Sequence, residues 1–256
     1  MTMPALFVGH GSPMNALEDN AFTSAWRTVA GEIPRPRAIL CVSAHWQTEG
    51  PRVTAMERPR TIHDFYGFPP DLFRVEYPAP GAPWLAERVV TLGSAHGATA
   101  DRGWGLDHGA WSVLIRMFPD SDIPVVQLAL DTGRSPAEHF ALARSLRPLR
   151  DEGVLVLGSG NIVHNLGMAC FGDEDGAYDW AVEFDETIRR LIAAGDHAAI
   201  VNYDQLGKTA RLAIPTNEHF LPLLYVLALR EEREPLSFFA EGVTLGTISM
   251  RAFRIG

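Results

Sequence analysis

The chain has 256 residues, 46% of them hydrophobic and 21% charged, which suits one large domain with an ample core. Its net charge of −9 leaves no broad basic surface and argues against nucleic-acid binding. Residues 4–8 (PALFV) form a continuous apolar run that reads as a strand buried on both faces. The run stops at His10, between Gly9 and Gly11, where a tight turn explains the glycines but not the histidine. A helix is expected over 20–31. A second buried strand covers 38–42 (AILCV) and leads to His45 in SAHW. Residues 61–84 carry five prolines and five aromatic residues besides Trp84. A long loop of this kind is either an extended surface excursion or a wall over a site. Helices are expected over 83–95 and 110–117, with His108 in the turn between them and Asp107 as its cap. A strand at 124–130 (PVVQLAL) precedes a helix at 135–150, with Ser135 as N-cap and Pro136 at its first position. The strand 154–158 (VLVLG) runs through a Gly-Ser-Gly turn to His164. In 179–194, Trp180, Phe184, Ile188 and Leu191 recur at helical spacing. A helix starting near Phe220 tolerates Pro222 in its first turn, and Glu218 and His219 stand just before it. A strand pair at 236–239 and 243–253 ends the chain.

This alternation predicts a single layered α/β domain over 1–256, with a central, mostly parallel sheet flanked by helices. Ligands of open α/β sheets bind beyond the carboxyl ends of the strands. Parallel strands therefore bring His10, His45 and His164 to one edge. A lone loop histidine reads as an ordinary polar residue; three in the same setting read as a metal site, because imidazole is the commonest protein metal ligand. Glu218 and His219 are further candidate ligands, although Glu218 also suits a solvated first turn. His63 belongs to the aromatic loop, and His96, His139 and His197 receive no role. Several other chemistries lose support. GHGSPM has Met14 and Pro13 where a dinucleotide fingerprint needs a small residue and a donor. There is no G-x-S-x-G and no HExxH. Two cysteines without a CxxC pair, no apolar run long enough to span a membrane and no signal-like N-terminus point to a reducing cytoplasm.

Seven segments carry a family likeness: GHGSPMNALEDN, SAHW, TIHDFYGFP, YPAPG, LDHGAWSVL, GSGNIVHN and EHFLPLLYVLAL. In this order they resemble the 4,5-DOPA extradiol dioxygenase family. That family is a branch of the class III extradiol ring-cleavage superfamily, which includes the catalytic subunit of protocatechuate 4,5-dioxygenase. The resemblance implies an α/β fold with a non-haem metal at one sheet edge. It matches His10 and His45 to metal ligands and His108 to a histidine that contacts substrate. His164 matches the catalytic base of the wider superfamily and is also carried as a metal ligand. The third ligand is a glutamate in the wider superfamily; here the resemblance favours His219, with Glu218 as the alternative.

The implied reaction opens the ring of a DOPA-like catechol with O2. It needs one divalent metal, Fe2+ for activity or Zn2+ as purified, and three protein ligands on one face to leave room for substrate. A neutral imidazole such as His164 suits the role of base. The same histidines would also serve a zinc-dependent hydrolase or a non-enzymatic metal-binding protein. The expected partners are the small-molecule substrate and O2, with neither nucleic acid nor membrane; a homo-oligomer is compatible with the sequence.

Overall fold

The computed structural model describes residues 2–172 and 176–256. The chain runs through β1 (Ala5–Gly9), α1 (Ala21–Glu32), β2 (Ala38–Thr48), β3 (Arg52–Thr54), α2 (Pro83–Leu92), β4 (Thr99–Asp101), α3 (His108–Met117) and β5 (Val125–Asp131). It continues through α4 (Pro136–Ser145), α5 (Pro148–Asp151), β6 (Val154–Gly160), α6 (Asp179–Ala194), α7 (His197–Val201), α8 (Lys208–Ala213) and α9 (Leu221–Leu227). The last strands are β7 (Leu236–Ala240), β8 (Val243–Thr244), β9 (Ile248–Ser249) and β10 (Ala252–Ile255).

Eight strands form one sheet in the order β4-β3-β5-β2-β6-β1-β10-β7. Its centre, β5-β2-β6-β1, is parallel, as the continuous apolar runs require. The flanks are mixed: β3 runs antiparallel to β5, β10 to β1 and β7 to β10. Alternate residues face opposite layers. Phe7, Leu40, Val42, Val126, Leu128 and Val156 meet α2, α4, α6, α8 and α9. Leu6, Val8, Ile39, Cys41, Val125 and Leu155 meet Trp26 of α1 and Trp111 and Leu114 of α3. Full burial of each such side chain contributes about 1.5–3 kcal/mol, so the strand ends that carry the site rest on a two-sided core. No helix among the described residues is long and apolar enough to cross a membrane.

Several boundaries differ from the sequence expectation. The helix expected over 135–150 is two helices, because Pro148 cannot continue a helix and begins the next one instead. Ser135 caps α4 as expected, in a reciprocal capping box with Glu138. The strand expected over 243–253 is three short pieces, broken where Leu245 and Gly246 both take positive φ. Short β3 and β4 and helices α7 and α8 carry too little periodicity to be read. β2 is longer than expected and shifts register between Val42 and Gln47. His45 thus lies inside β2, at the irregularity, rather than beyond the strand.

Candidate metal centre

The carboxyl ends of β1, β2 and β6 carry the expected histidines. His10 follows β1, and its backbone N–H donates to Gly160 O at 3.0 Å, locking it to the end of β6. His164 lies past β6, with its N–H on Ala213 O at 2.9 Å. His219 stands at the entry to α9, and that entry rests directly on β6. A Cβ on Gly160 would lie 2.1 Å from His219 O, so only glycine allows this approach. The segment Gly158–Gly160 is therefore strand, not the turn expected from its composition. Gly9 serves the same purpose: a Cβ there would lie 2.7 Å from Ser249 O. Protein backbone, not a metal, is what these glycines admit.

Three rings converge. His10, His45 and His219 each bring a ring nitrogen within 4.8 Å of the other two. The Nε2 atoms of His10 and His45 are 3.2 Å apart. Hydrogen bonding at the far side of the His10 and His219 rings fixes their tautomers, while His45 has a carboxylate near its far side. Ser159 donates its hydroxyl proton to Gly109 O at 2.5 Å, so its oxygen accepts from His10 Nδ1 at 3.0 Å. His219 Nδ1 faces the Glu218 carboxylate at 3.0 Å, and His45 Nδ1 faces Asp64 Oδ2 at 3.5 Å. A carboxylate at neutral pH only accepts, so His219 Nδ1 carries the proton, as His10 Nδ1 does. The Nε2 atoms of His10 and His219 are left with bare lone pairs, and His45 Nε2 lies against that of His10. His219 Nε2 is buried with no protein partner.

Ring nitrogens brought together in a largely buried site need a partner, and a shared cation meets that need for all of them at once. Two nitrogens bound tetrahedrally to one ion at about 2.0–2.1 Å lie roughly 3.4 Å apart; the His10–His45 pair nearly meets that spacing. The donor set thus fits a divalent metal. Burial is also the main reason that the rings stay neutral, as ligands must be. It holds His10 and His219 well below the ordinary histidine value, with each other's neighbouring rings adding to the effect. It lowers His45 to about 3, helped by His108 and opposed by Asp64.

Two further histidines stand around this group. His164 stacks face to face on His219, with ring centres 3.5 Å apart and planes 7° apart. It shares a cluster with Glu218 and His219, not with His10 and His45. Burial lowers its pKa to about 4, against the pull of Glu218. His108 begins α3, which Asp107 caps as expected by accepting from Ala110 N–H at 3.2 Å. Its ring centre is 3.8 Å from that of His45. Glu218 accepts from both Thr216 and His219, so it touches the far nitrogen of a candidate ligand.

The aromatic loop is a wall. The Phe65 ring meets His108 edge-on at 5.6 Å and packs with Phe68, Phe73 and Trp111. The loop also delivers Asp64, which sequence reasoning passed over. Asp64 and Ser159 act on histidines far away in sequence, so no local spacing marks them. His63 turns away and pairs with Val75 O at 2.9 Å. His139 is fully buried elsewhere, although no role was expected for it.

A family model described as the catalytic LigB subunit of aromatic ring-opening dioxygenase matches residues 4–250. The chain belongs to the LigB family. As a LigB protein it is an extradiol ring-cleavage dioxygenase, and its relatives agree. It is 49% identical over 259 residues to a 4,5-DOPA dioxygenase extradiol of Escherichia coli K12, covering 99% of this chain and 95% of the relative. A protein of the same description from Beta vulgaris is 39% identical over 226 residues, covering 85% and 83%. The crystal structure of the uncharacterized protein JW3007 from Escherichia coli K12 superposes with a TM-score of 0.87 at 44% identity. That match covers 99% of this chain and all of the other.

Proposed function

We propose that this LigB protein opens the ring of a DOPA-like catechol with O2, at one divalent metal held by His10, His45 and His219. The observation that carries the metal site is the convergence of His10, His45 and His219, with the Nδ1 atoms of His10 and His219 already engaged and the Nε2 atoms of His10 and His45 3.2 Å apart. The substrate class follows from the DOPA dioxygenases that this chain resembles along most of its length. When bound, ferrous iron supplies open positions and the redox chemistry that zinc lacks. The chain's own residues then have separable tasks. Neutral His164, stacked on His219, accepts a catechol proton at a ring nitrogen. His108 orients the substrate beside His45. Phe65 forms one apolar wall of a slot for a planar ring. Glu218 holds the tautomer of His219 rather than serving as a ligand. The catalytic domain spans residues 1–256, and its two free cysteines suit a reducing cytoplasm.

The test is anaerobic loading with Fe2+, followed by O2-uptake measurements against a panel of catechols. Uptake with a yellow ring-opened product is expected. No uptake with any catechol, at one iron per chain, would overturn the substrate class. Elemental analysis of protein from unsupplemented cells separates iron from zinc.

A further inference from the structure

Asp64 touches two of the histidines at once. Its Oδ1 accepts the backbone N–H of His108 at 2.9 Å. Its Oδ2 lies 3.0 Å from His108 Nδ1 and 3.5 Å from His45 Nδ1. The contact with His108 Nδ1 is close but not aligned as a hydrogen bond. One N–H hydrogen bond and two ring nitrogens thus meet on one carboxylate.

The surroundings are built to keep it there. Trp111 of α3 donates its indole N–H to Ile62 O at 2.8 Å, and Tyr77 N–H donates to Thr61 Oγ1 at 3.0 Å. These bonds pin the loop on both sides of Asp64. The start of α3 is fixed separately by Asp107, which is buried and accepts from Ser43 and Gln127 at 2.7 Å each. Asp64 is therefore not needed as the cap of this helix. Its two oxygens serve the two histidines and the N–H of one of them.

We propose that Asp64 is a positioning residue that sets both His45 and His108. By placing a carboxylate beside the Nδ1 of each ring, it favours the Nδ1–H form that turns the Nε2 lone pair of His45 toward His10 and His219 and leaves His108 Nε2 as an acceptor for a substrate hydroxyl. It also ties the aromatic wall to the centre, so ring slot and ligand geometry form together. The backbone N–H of His108 meets Oδ1 while both rings face Oδ2, so an amide here would present its NH2 group to one side in place of an acceptor. This inference rests on the proposed metal site.

The experiment compares wild type with Asp64→Asn. Affinity for Zn2+ and for Fe2+ is measured by competition with a chromophoric chelator, alongside metal stoichiometry, melting temperature and the separate kcat and KM values. Outer partners of ligating histidines are worth about 10–100-fold in metal affinity or activity. The expected result is one ion per wild-type chain, metal affinity about tenfold or more weaker in Asp64→Asn, and a fall in kcat exceeding any rise in KM. The melting temperature of the metal-free protein is expected to change little. Equal metal affinity and equal kcat in a folded Asp64→Asn protein would overturn the inference. Two ions per wild-type chain, falling to one in the variant, would also overturn it, by making Asp64 a ligand alongside His45 and His108. Absence of metal binding by wild type would instead defeat the reading of the histidine site itself. If Asp64→Asn fails to fold, Asp64→Glu keeps the charge while displacing the oxygens, and the same affinity loss is expected.

Discussion

A single buried histidine and a set of three at the sheet edge differ in what their nitrogens meet. His139 is buried between α4 and α9. Its Nε2 donates to Asp131 O at 3.2 Å, so its Nδ1 accepts from the Tyr225 hydroxyl at 2.9 Å. Both ring nitrogens are satisfied and the ring is complete as a structural element. His10 and His219 are hydrogen-bonded on one side only, and their other nitrogens converge with a nitrogen of His45. Burial of a histidine therefore does not mark a metal site. An unmet lone pair shared among several rings does.

The largest contrast is expected from alanine substitutions. His10→Ala or His219→Ala should cost more than about 100-fold in metal affinity, beyond the loss typical of an outer partner, and should abolish turnover. His139→Ala should leave one ion per chain by elemental analysis. Retention of metal by the first two variants would erase the distinction.

Next in size is His164→Ala. A base contributes about 10²–10⁴ in rate, so kcat should fall by that amount while metal remains stoichiometric. Loss of the ion would move His164 into the ligand group.

A smaller effect concerns stability. His139→Ala removes the partner of the Tyr225 hydroxyl, leaves Asp131 O with the Arg134 N–H alone and opens a void, which costs about 2–4 kcal/mol. Denaturant unfolding of the metal-free protein measures it. An unchanged midpoint would show that the buried ring is dispensable.

The smallest effect is in pH dependence. Burial lowers the folded-state pKa of His139 to about 4, against an ordinary value of 6.5. Between these values the unfolded chain binds a proton that the folded chain refuses. The contribution of neutral His139 is complete above pH 6.5 and is lost as pH falls toward 4, by up to about 3 kcal/mol. His139→Gln should flatten the stability curve of the metal-free protein across that window. Parallel curves for the two proteins would contradict the assigned pKa.

The parts of the fold that could be read in advance are those in which local chemistry and burial agree. Val154–Leu157 and Ala38–Val42 are apolar without interruption because parallel strands are covered on both faces. Ser135, Pro136 and Glu138 announce a helix start because the capping bonds are local. Arg52–Thr54 and Thr99–Asp101 were not legible, since three residues carry no period and exist as strands through their neighbours. Three histidines at one sheet edge were legible because strand direction alone places them there.

What the sequence by itself determined is the supply of imidazoles: which strands end in histidine, and that His219 heads an apolar helix tolerant of Pro222. What only the tertiary structure decided is the state and grouping of those rings. His10 takes its tautomer from Ser159, 149 residues away, and His108 is held by Asp64, 44 residues away. His164 is stacked on His219 instead of converging with His10 and His45. The physical reason is that a ring's free nitrogen is chosen by whatever occupies the other one. That partner comes from a distant segment brought near by packing, so no spacing along the chain records it.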